Sequence, residues 1–233
     1  MSPADAPPSG RPTRAEIDIG AFQSNLRLAA NLGGDRREVM AVVKADAYGH
    51  GAVPLAGAAL RAGASSLGVA TLEEARRLRV AGIEAPVYIL SEVPPAAAAE
   101  VVALRCTQVL YTLELAEALE KAAASAGTRA SIHLKIDTGM GRVGIDPSAA
   151  VDLSSRLRQM PHLLLEGVLS HLAAADLPER DTTSRQIGEF SRLCRLLERD
   201  CPELRYRHIA NSALLMRKEA TGNLTRPGIM LYG

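Results

Sequence analysis

The sequence predicts an α/β fold, specifically a (β/α)8 barrel of the TIM type, and three observations lead there. Eight short runs rich in apolar and β-branched residues recur along the 233 residues, separated by stretches with helical periodicity. The runs at 39–43 (VMAVV) and 163–169 (LLLEGVL) are almost continuously apolar, as strands are when helices cover one face and a packed interior the other. The length suits one barrel and leaves no room for a second sizeable domain. A doubly wound open sheet shares the alternation and stays the alternative at this level.

The elements follow in order. The Pro-rich residues 1–12 bury no apolar area and read as a disordered tail, so a single domain is expected over 13–233. An extended segment at 13–19 leads into a helix from about Asp18 or Gly20, with Phe22, Leu26 and Ala29 on one face and Gly33 and Gly34 as its stop. Strand candidates lie at 39–44, 66–70, 86–90, 108–111, 131–136, 164–170, 206–210 and 223–226. Helix candidates lie between them at 52–62, 71–81, 94–104, 112–126, 147–160, 184–200 and 212–219, with Asp146 and Pro147 read as N-cap and first residue of the 147–160 helix. The first helix precedes the first strand, so it is placed to cover the seam that a helix after the eighth strand would otherwise fill.

Composition narrows the function classes. The formal charge is +1, from 27 basic and 26 acidic residues, so no net field attracts polyanions. Five Tyr, two Phe and no Trp leave little to stack on bases or to form a membrane belt. Nucleic-acid and membrane partners are therefore not expected, and a cytoplasmic location is. Cys106, Cys194 and Cys201 show no CxxC spacing and read as reduced packing thiols. His50, His133, His162 and His208 show no metal-ligand spacing, and no metal site is expected.

Residues that could carry chemistry fall at the C-terminal ends of the predicted strands, where barrels of this type place their sites. Lys44 ends the first strand in AVVKADAYGHG, 41–51; a buried lysine is poised to lose its charge and react with an aldehyde, although position alone favours a lysine that has left the strand and snorkels to solvent. Arg142 lies in HLKIDTGMGRVG, 133–144, whose GxGxxG does not open a helix directly after a strand and is not read as a dinucleotide site. His171 begins the loop after the sixth strand, Asn211 and Ser212 follow the seventh, and Arg226 ends the eighth. After Arg226, Pro227 sets a turn and Gly228 admits close approach, so the amides of Gly228 and Ile229 are placed to donate to a phosphate, with the Ser212 hydroxyl beside them. Asp46 and Asp137 sit in loop-forming contexts and read as cap or turn residues.

These segments, with SHLAAAD at 170–176, HIANSAL at 208–214 and RPGIMLYG at 226–233, resemble the alanine racemases in order and spacing from Lys44 onward. The resemblance implies pyridoxal 5'-phosphate bound through Lys44 as a Schiff base, with Tyr48 and Ser212 at its phosphate. It implies Arg226 donating to the ring nitrogen with His171 supporting that arginine, and Arg142 on the substrate carboxylate. Lys135 matches a lysine often carbamylated in the family, with an unmodified lysine the open alternative. The reaction implied is interconversion of L- and D-alanine, supplying D-alanine for peptidoglycan, with Lys44 serving the α-proton of D-alanine. The family works as a homodimer whose second base is a tyrosine from a C-terminal β domain of the other subunit, and that domain is not among these 233 residues, so racemisation is expected to be impaired. A non-enzymatic pyridoxal-phosphate carrier barrel, an amino-acid decarboxylase and a serine racemase are the alternatives that share the fold.

Overall fold

The computed structural model describes residues 15–177 and 181–233. The tail at 1–12 and the start of the extended segment at 13–19 lie outside the described residues. Helix α1 (Ile19–Gly33) opens on Asp18, whose carboxylate accepts from the Ala21 amide, and stops at Gly34 in a positive-φ conformation. Thereafter come β1 (Glu38–Val42), the short turn α2 (Lys44–Gly49), α3 (Ala52–Arg61), β2 (Ser66–Val69), α4 (Leu72–Val80), β3 (Val87–Ile89), α5 (Ala98–Ala103) and β4 (Thr107–Leu110). The second half holds α6 (Leu113–Ser125), β5 (Ala130–Lys135), α7 (Ala150–Arg158), β6 (Leu163–Leu169), α8 (Thr182–Asp200), β7 (Tyr206–His208), α9 (Ser212–Met216) and β8 (Leu224–Thr225).

Among the described residues the eight strands are all parallel and run in the order β7-β6-β5-β4-β3-β2-β1-β8, a nearly closed (β/α)8 barrel. The β1·β8 pair joins Glu38 to Leu224 and Val39 to Thr225. The remaining seam, between β7 and β8, is crossed by side chains and single bridges. Asn223 accepts from the Arg207 amide and donates to the Arg205 carbonyl, and Asn211 bridges Arg226. Helix α1 packs against α3, α9 and the turn at Ile229–Leu231, covering the gap as the sequence order suggested.

Two apolar cores result. The larger lies between the strands and the helices, built from residues such as Leu26, Leu67, Leu119, Leu165 and Phe190. A small one, Met40, Tyr88, Tyr206 and Leu224 with Leu90 against them, fills the barrel's interior. No described helix is long and apolar enough to cross a membrane. Cys106, Cys194 and Cys201 are buried free thiols.

Some expected boundaries shift for local reasons. The 94–104 helix divides into a 3-10 turn at Pro95–Ala97 and α5. The 212–219 helix stops at Met216, where Lys218 turns left-handed (φ 58°) and its amide and that of Glu219 return to the Leu215 and Leu214 carbonyls. Asp146 does not cap α7; its carboxylate accepts from the amide and hydroxyl of Ser148, closing a turn before the helix begins at Ala150.

Candidate functional site at the C-terminal mouth of the barrel

Strand β1 ends at Val42, and half-buried Lys44 opens the turn that follows rather than ending the strand. That turn has the wrong hand. Ala45, Asp46, Ala47 and Tyr48 all adopt left-handed angles, φ 51° to 55° with ψ 34° to 50°. Left-handed helix costs roughly 1–2 kcal/mol per residue for side chains with a Cβ, so about 4–8 kcal/mol must be offset locally. Both ends of the turn are tied. The Ala45 amide donates to Glu74 Oε1 (2.6 Å), while Glu74 Oε2 takes the Ala70 amide (2.7 Å) and completes a capping box with Thr71 on α4. Asp46 accepts from the Ala52 amide at the start of α3, the capping role expected of it. Ala47 is fully buried and donates to the Val43 carbonyl. The turn sets Lys44 and Tyr48 on the walls of one cavity.

Arg142 is presented differently. Its loop wraps one carboxylate: Asp137 accepts from the amides of Gly139 (2.9 Å), Met140 (2.7 Å), Gly141 (3.1 Å) and Arg142 itself (3.1 Å). Burial raises the Asp137 pKa, and the four amides together outweigh it and hold the carboxyl below its usual range. The glycine pattern serves this loop, in keeping with the rejection of a dinucleotide site.

Across the mouth, Ser212 Oγ accepts from the amides of Gly228 (2.9 Å) and Met230 (3.4 Å). With its lone pairs engaged, the hydroxyl proton points elsewhere. This corrects the expectation for Gly228, whose N–H meets Ser212 rather than facing the cavity, whereas Ile229 opens a 3-10 turn and its amide heads that turn. A Cβ on Gly228 would lie 2.6 Å from the Tyr48 hydroxyl, so glycine is what lets the Tyr48 hydroxyl approach this turn closely. Tyr232, which the sequence reading did not single out, supports the same wall. Its hydroxyl donates to the Val42 carbonyl (2.8 Å) and its ring packs 4.8 Å from Tyr48. Asn211 lines the cavity while its carbonyl oxygen caps α9 through the Leu214 amide.

Arg226 is buried at the cavity floor. It donates through Nη1 to Nδ1 and the carbonyl of His208 (2.9 and 2.6 Å) and through Nη2 to the Ser170 carbonyl (2.7 Å). The supporting histidine is therefore His208, where His171 was expected. His171 lines the cavity wall and is not among the described partners of Arg226. The reason is geometric: His208 sits on β7 across the seam from β8, within reach of the Arg226 guanidinium, whereas His171 lies beyond the end of β6. Burial lowers the Arg226 pKa to about 10, which still leaves it charged at neutral pH.

Lys44, Tyr48, Lys135, Arg142, His171, Asn211, Ser212, Arg226, Gly228 and Ile229 thus line one cavity of about 610 Å³. Burial, then Arg226 and Arg142, pull the Lys135 amine down to about 8. Burial, followed by the same cations, holds His171 near 3 and so neutral. Four cationic side chains against Asp176 make the mouth positive. Barrels act on small molecules at this end, and a mouth of this size and charge defines one that receives a small anionic ligand.

Comparison with known proteins gives the particular family. The family model "Alanine racemase, N-terminal domain" matches residues 17–233, so the chain belongs to that family. It is 42% identical over 224 residues to the alanine racemase of Desulfovibrio desulfuricans, covering 96% of this chain and 60% of that protein. The alanine racemase of Symbiobacterium thermophilum is 41% identical, with 96% and 59% covered. Among solved structures, the alanine racemase of Streptomyces lavendulae superposes with a TM-score of 0.89 at 35% identity, covering 93% of this chain and 58% of that one. The Bacillus anthracis alanine racemase with bound L-Ala-P superposes with a TM-score of 0.86 at 34% identity, with 93% and 56% covered. The chain spans about 60% of the length of the curated relatives it matches. Alanine racemases are pyridoxal-phosphate-dependent isomerases.

Proposed function

We propose that this barrel is the pyridoxal-phosphate-binding part of an alanine racemase. The observation that carries the reading is the convergence of ten residues, from six separate segments, on one cation-lined cavity. The residues present fit the cofactor. Its phosphate needs hydroxyl and amide donors at one side of a cavity, and the wall where Tyr48, Ser212 and the head of the Ile229 turn meet has that chemistry. When bound, pyridoxal phosphate supplies an aldehyde for covalent attachment and a ring that stabilises negative charge at the carbon being deprotonated.

This chain's own residues would do the rest. Lys44 offers the amine that attaches and that takes or returns the α-proton of D-alanine. Arg142 holds the substrate carboxylate. Arg226 has five N–H groups, of which three are engaged, and its remaining donors suit the ring nitrogen; because a guanidinium keeps its proton, that nitrogen stays unprotonated. Lys135, with its amine near 8, has a neutral fraction at neutral pH able to add to carbon dioxide with loss of a proton. The resulting carbamate would turn a repelling cation beside Arg142 into an anion that orients it. A carbamate signal from the folded chain in ¹³C-bicarbonate, absent in Lys135→Met, is the expected NMR outcome.

The decisive test loads the chain with pyridoxal phosphate and asks two questions. Borohydride should fix the cofactor on the peptide containing Lys44, and finding it only on other lysines would overturn the site. Solvent deuterium should enter the α-position of D-alanine, read by NMR, faster than L-alanine appears on a chiral column. Loss of one positioned acid or base typically costs about 10²- to 10⁴-fold, so inversion should be weak if the second base comes from residues outside this barrel. Cofactor uptake with no exchange of either enantiomer would favour a carrier.

A further inference from the structure

A file of buried polar groups runs from Arg226 down through the barrel to its opposite end. Below Arg226, His208 Nε2 lies 2.7 Å from His133 Nδ1, and His133 Nε2 lies 3.6 Å from Glu166 Oε1. Both imidazoles are fully buried. Beneath Glu166 a second cavity, about 810 Å³, opens at the N-terminal end of the strands between Tyr88, Thr107, Arg205 and Tyr206.

The file has a fixed direction. A guanidinium has donors only, so His208 Nδ1 must accept from Arg226. A neutral imidazole has one donor, so the His208 proton is on Nε2 and is given to His133 Nδ1. By the same step the His133 proton is on Nε2, facing Glu166. Burial, the largest influence on each, pushes both imidazoles toward the neutral form this demands.

The backbone makes room for the arrangement. Parallel pairing of β5 with β6 slips between Ile132 and His133: Ile132 faces Leu165, His133 faces Gly167, and Glu166 is the extra residue of the bulge. A Cβ on Gly167 would lie 2.4 Å from His133 Cε1, so glycine is required where the ring sits. The bulge sets Glu166 at the lower rim, where Thr107 also donates to its carboxylate (3.3 Å). At 3.6 Å the last link is longer than a direct hydrogen bond, and His133 Nε2 has no other partner among the described residues. Among the described residues Glu166 is the acceptor in place for that proton, through a shift of a few tenths of an ångström or one bridging water.

We propose that Glu166 is a positioning residue: it terminates a one-way donor file, Arg226 to His208 to His133, and through those two rings holds Arg226 in place from the far end of the barrel. The consequence for the ligand rests on the reading of Arg226 given above, whereas the file itself does not. The test uses the chain with ¹⁵N-labelled imidazoles, without cofactor and then with pyridoxal phosphate. Long-range ¹H–¹⁵N spectra should show His133 and His208 both as Nε2–H tautomers at neutral pH. Glu166→Leu should broaden or split both signals and weaken pyridoxal-phosphate binding about tenfold, the equivalent of one hydrogen bond, and Glu166→Gln, which keeps an acceptor, should restore both. An Nδ1–H tautomer at either histidine would overturn the direction. Unchanged signals in Glu166→Leu would overturn the role of Glu166. Should the leucine variant fail to fold, the wild-type tautomers and the glutamine variant still decide. A wild-type chain with the expected tautomers but no affinity for pyridoxal phosphate would count against the cofactor reading alone.

Discussion

Two turns bring cations to the same cavity, and they are built in opposite ways. The turn carrying Lys44 uses residues that resist its conformation, four left-handed non-glycines, and is held by distant groups, chiefly Glu74 on α4. The loop carrying Arg142 is rich in glycine, suits its conformation, and is held from within by Asp137. The first is a stiff strut that depends on its neighbours, the second a self-contained clasp. Placement of the Lys44 amine therefore follows the integrity of the α4 packing, whereas placement of the Arg142 guanidinium follows one side chain.

The sharpest way to separate the two is to remove each anchor. Asp137→Ala leaves four amides without their acceptor and should displace Arg142. Misplacement of about an ångström costs on the order of 10²-fold, so α-proton exchange of D-alanine should fall by about that factor while borohydride labelling of Lys44 persists. Loss of labelling as well would mean that the two turns are coupled.

Acid should also act on the two regions in sequence. His171 has a folded pKa near 3, below its ordinary 6.5, and burial lowers His133 and His208 as well. Groups depressed in this way contribute stability that is fully present above about 6.5 and is lost as pH falls toward the folded value. Thermal melts should therefore decline from about pH 6.5 downward, by less in His171→Gln. Asp137, held below its usual range, stays ionised through that decline. Hydrogen exchange at Gly139 to Arg142 should remain slow until the pH drops below the ordinary carboxylate range; early loss of protection would break the contrast.

Glu74→Ala is expected to cost about 1–2 kcal/mol in a denaturant melt, as the loss of a helix cap does. It should also weaken pyridoxal-phosphate binding about tenfold through the freed Ala45 amide, with the Arg142 loop unmoved. The smallest effect concerns backbone strain. Ala45→Gly relieves one left-handed residue at φ 51° but frees the unfolded chain, so the net should be a gain of about 0.5 kcal/mol or less. A loss above about 1 kcal/mol would show that the turn is not strained.

The difference between the two turns also governs what could be read from sequence. Asp137 followed by three glycines announces a carboxylate-bound loop, and its turn role was legible. Nothing in Ala45-Asp46-Ala47-Tyr48 announces a left-handed turn, because local propensity opposes it and tertiary contacts impose it. The capping box at Thr71 and Glu74 is visible as a spacing, yet the reach of Glu74 to Ala45 depends on how α4 lies beside β1. The strands were legible because most are short, distinct apolar runs, whereas the eighth, NLTR at 223–226, was placed by its order after the preceding helix. Their exact ends were not, as with the two residues of β8, because the Asn223 side chain and an isolated backbone bridge from Asn211 to Arg226 replace ladder bonds at the seam. Support of Arg226 by His208 was missed for the same reason: it crosses the seam, and seam partners are set by barrel closure rather than by sequence neighbourhood.

That seam has a consequence in time. Strands β1 to β7 pair with sequence neighbours, so each ladder can form soon after its two strands exist. The β1·β8 pair and the Tyr232–Val42 hydrogen bond join positions up to 190 apart, and such contacts come late because the intervening chain must be ordered first. Arg226, Gly228 and Ile229 take their places only at that step. In refolding followed from denaturant, helical circular dichroism should recover ahead of the ability to bind pyridoxal phosphate, and the interval between them measures how long the barrel stays open.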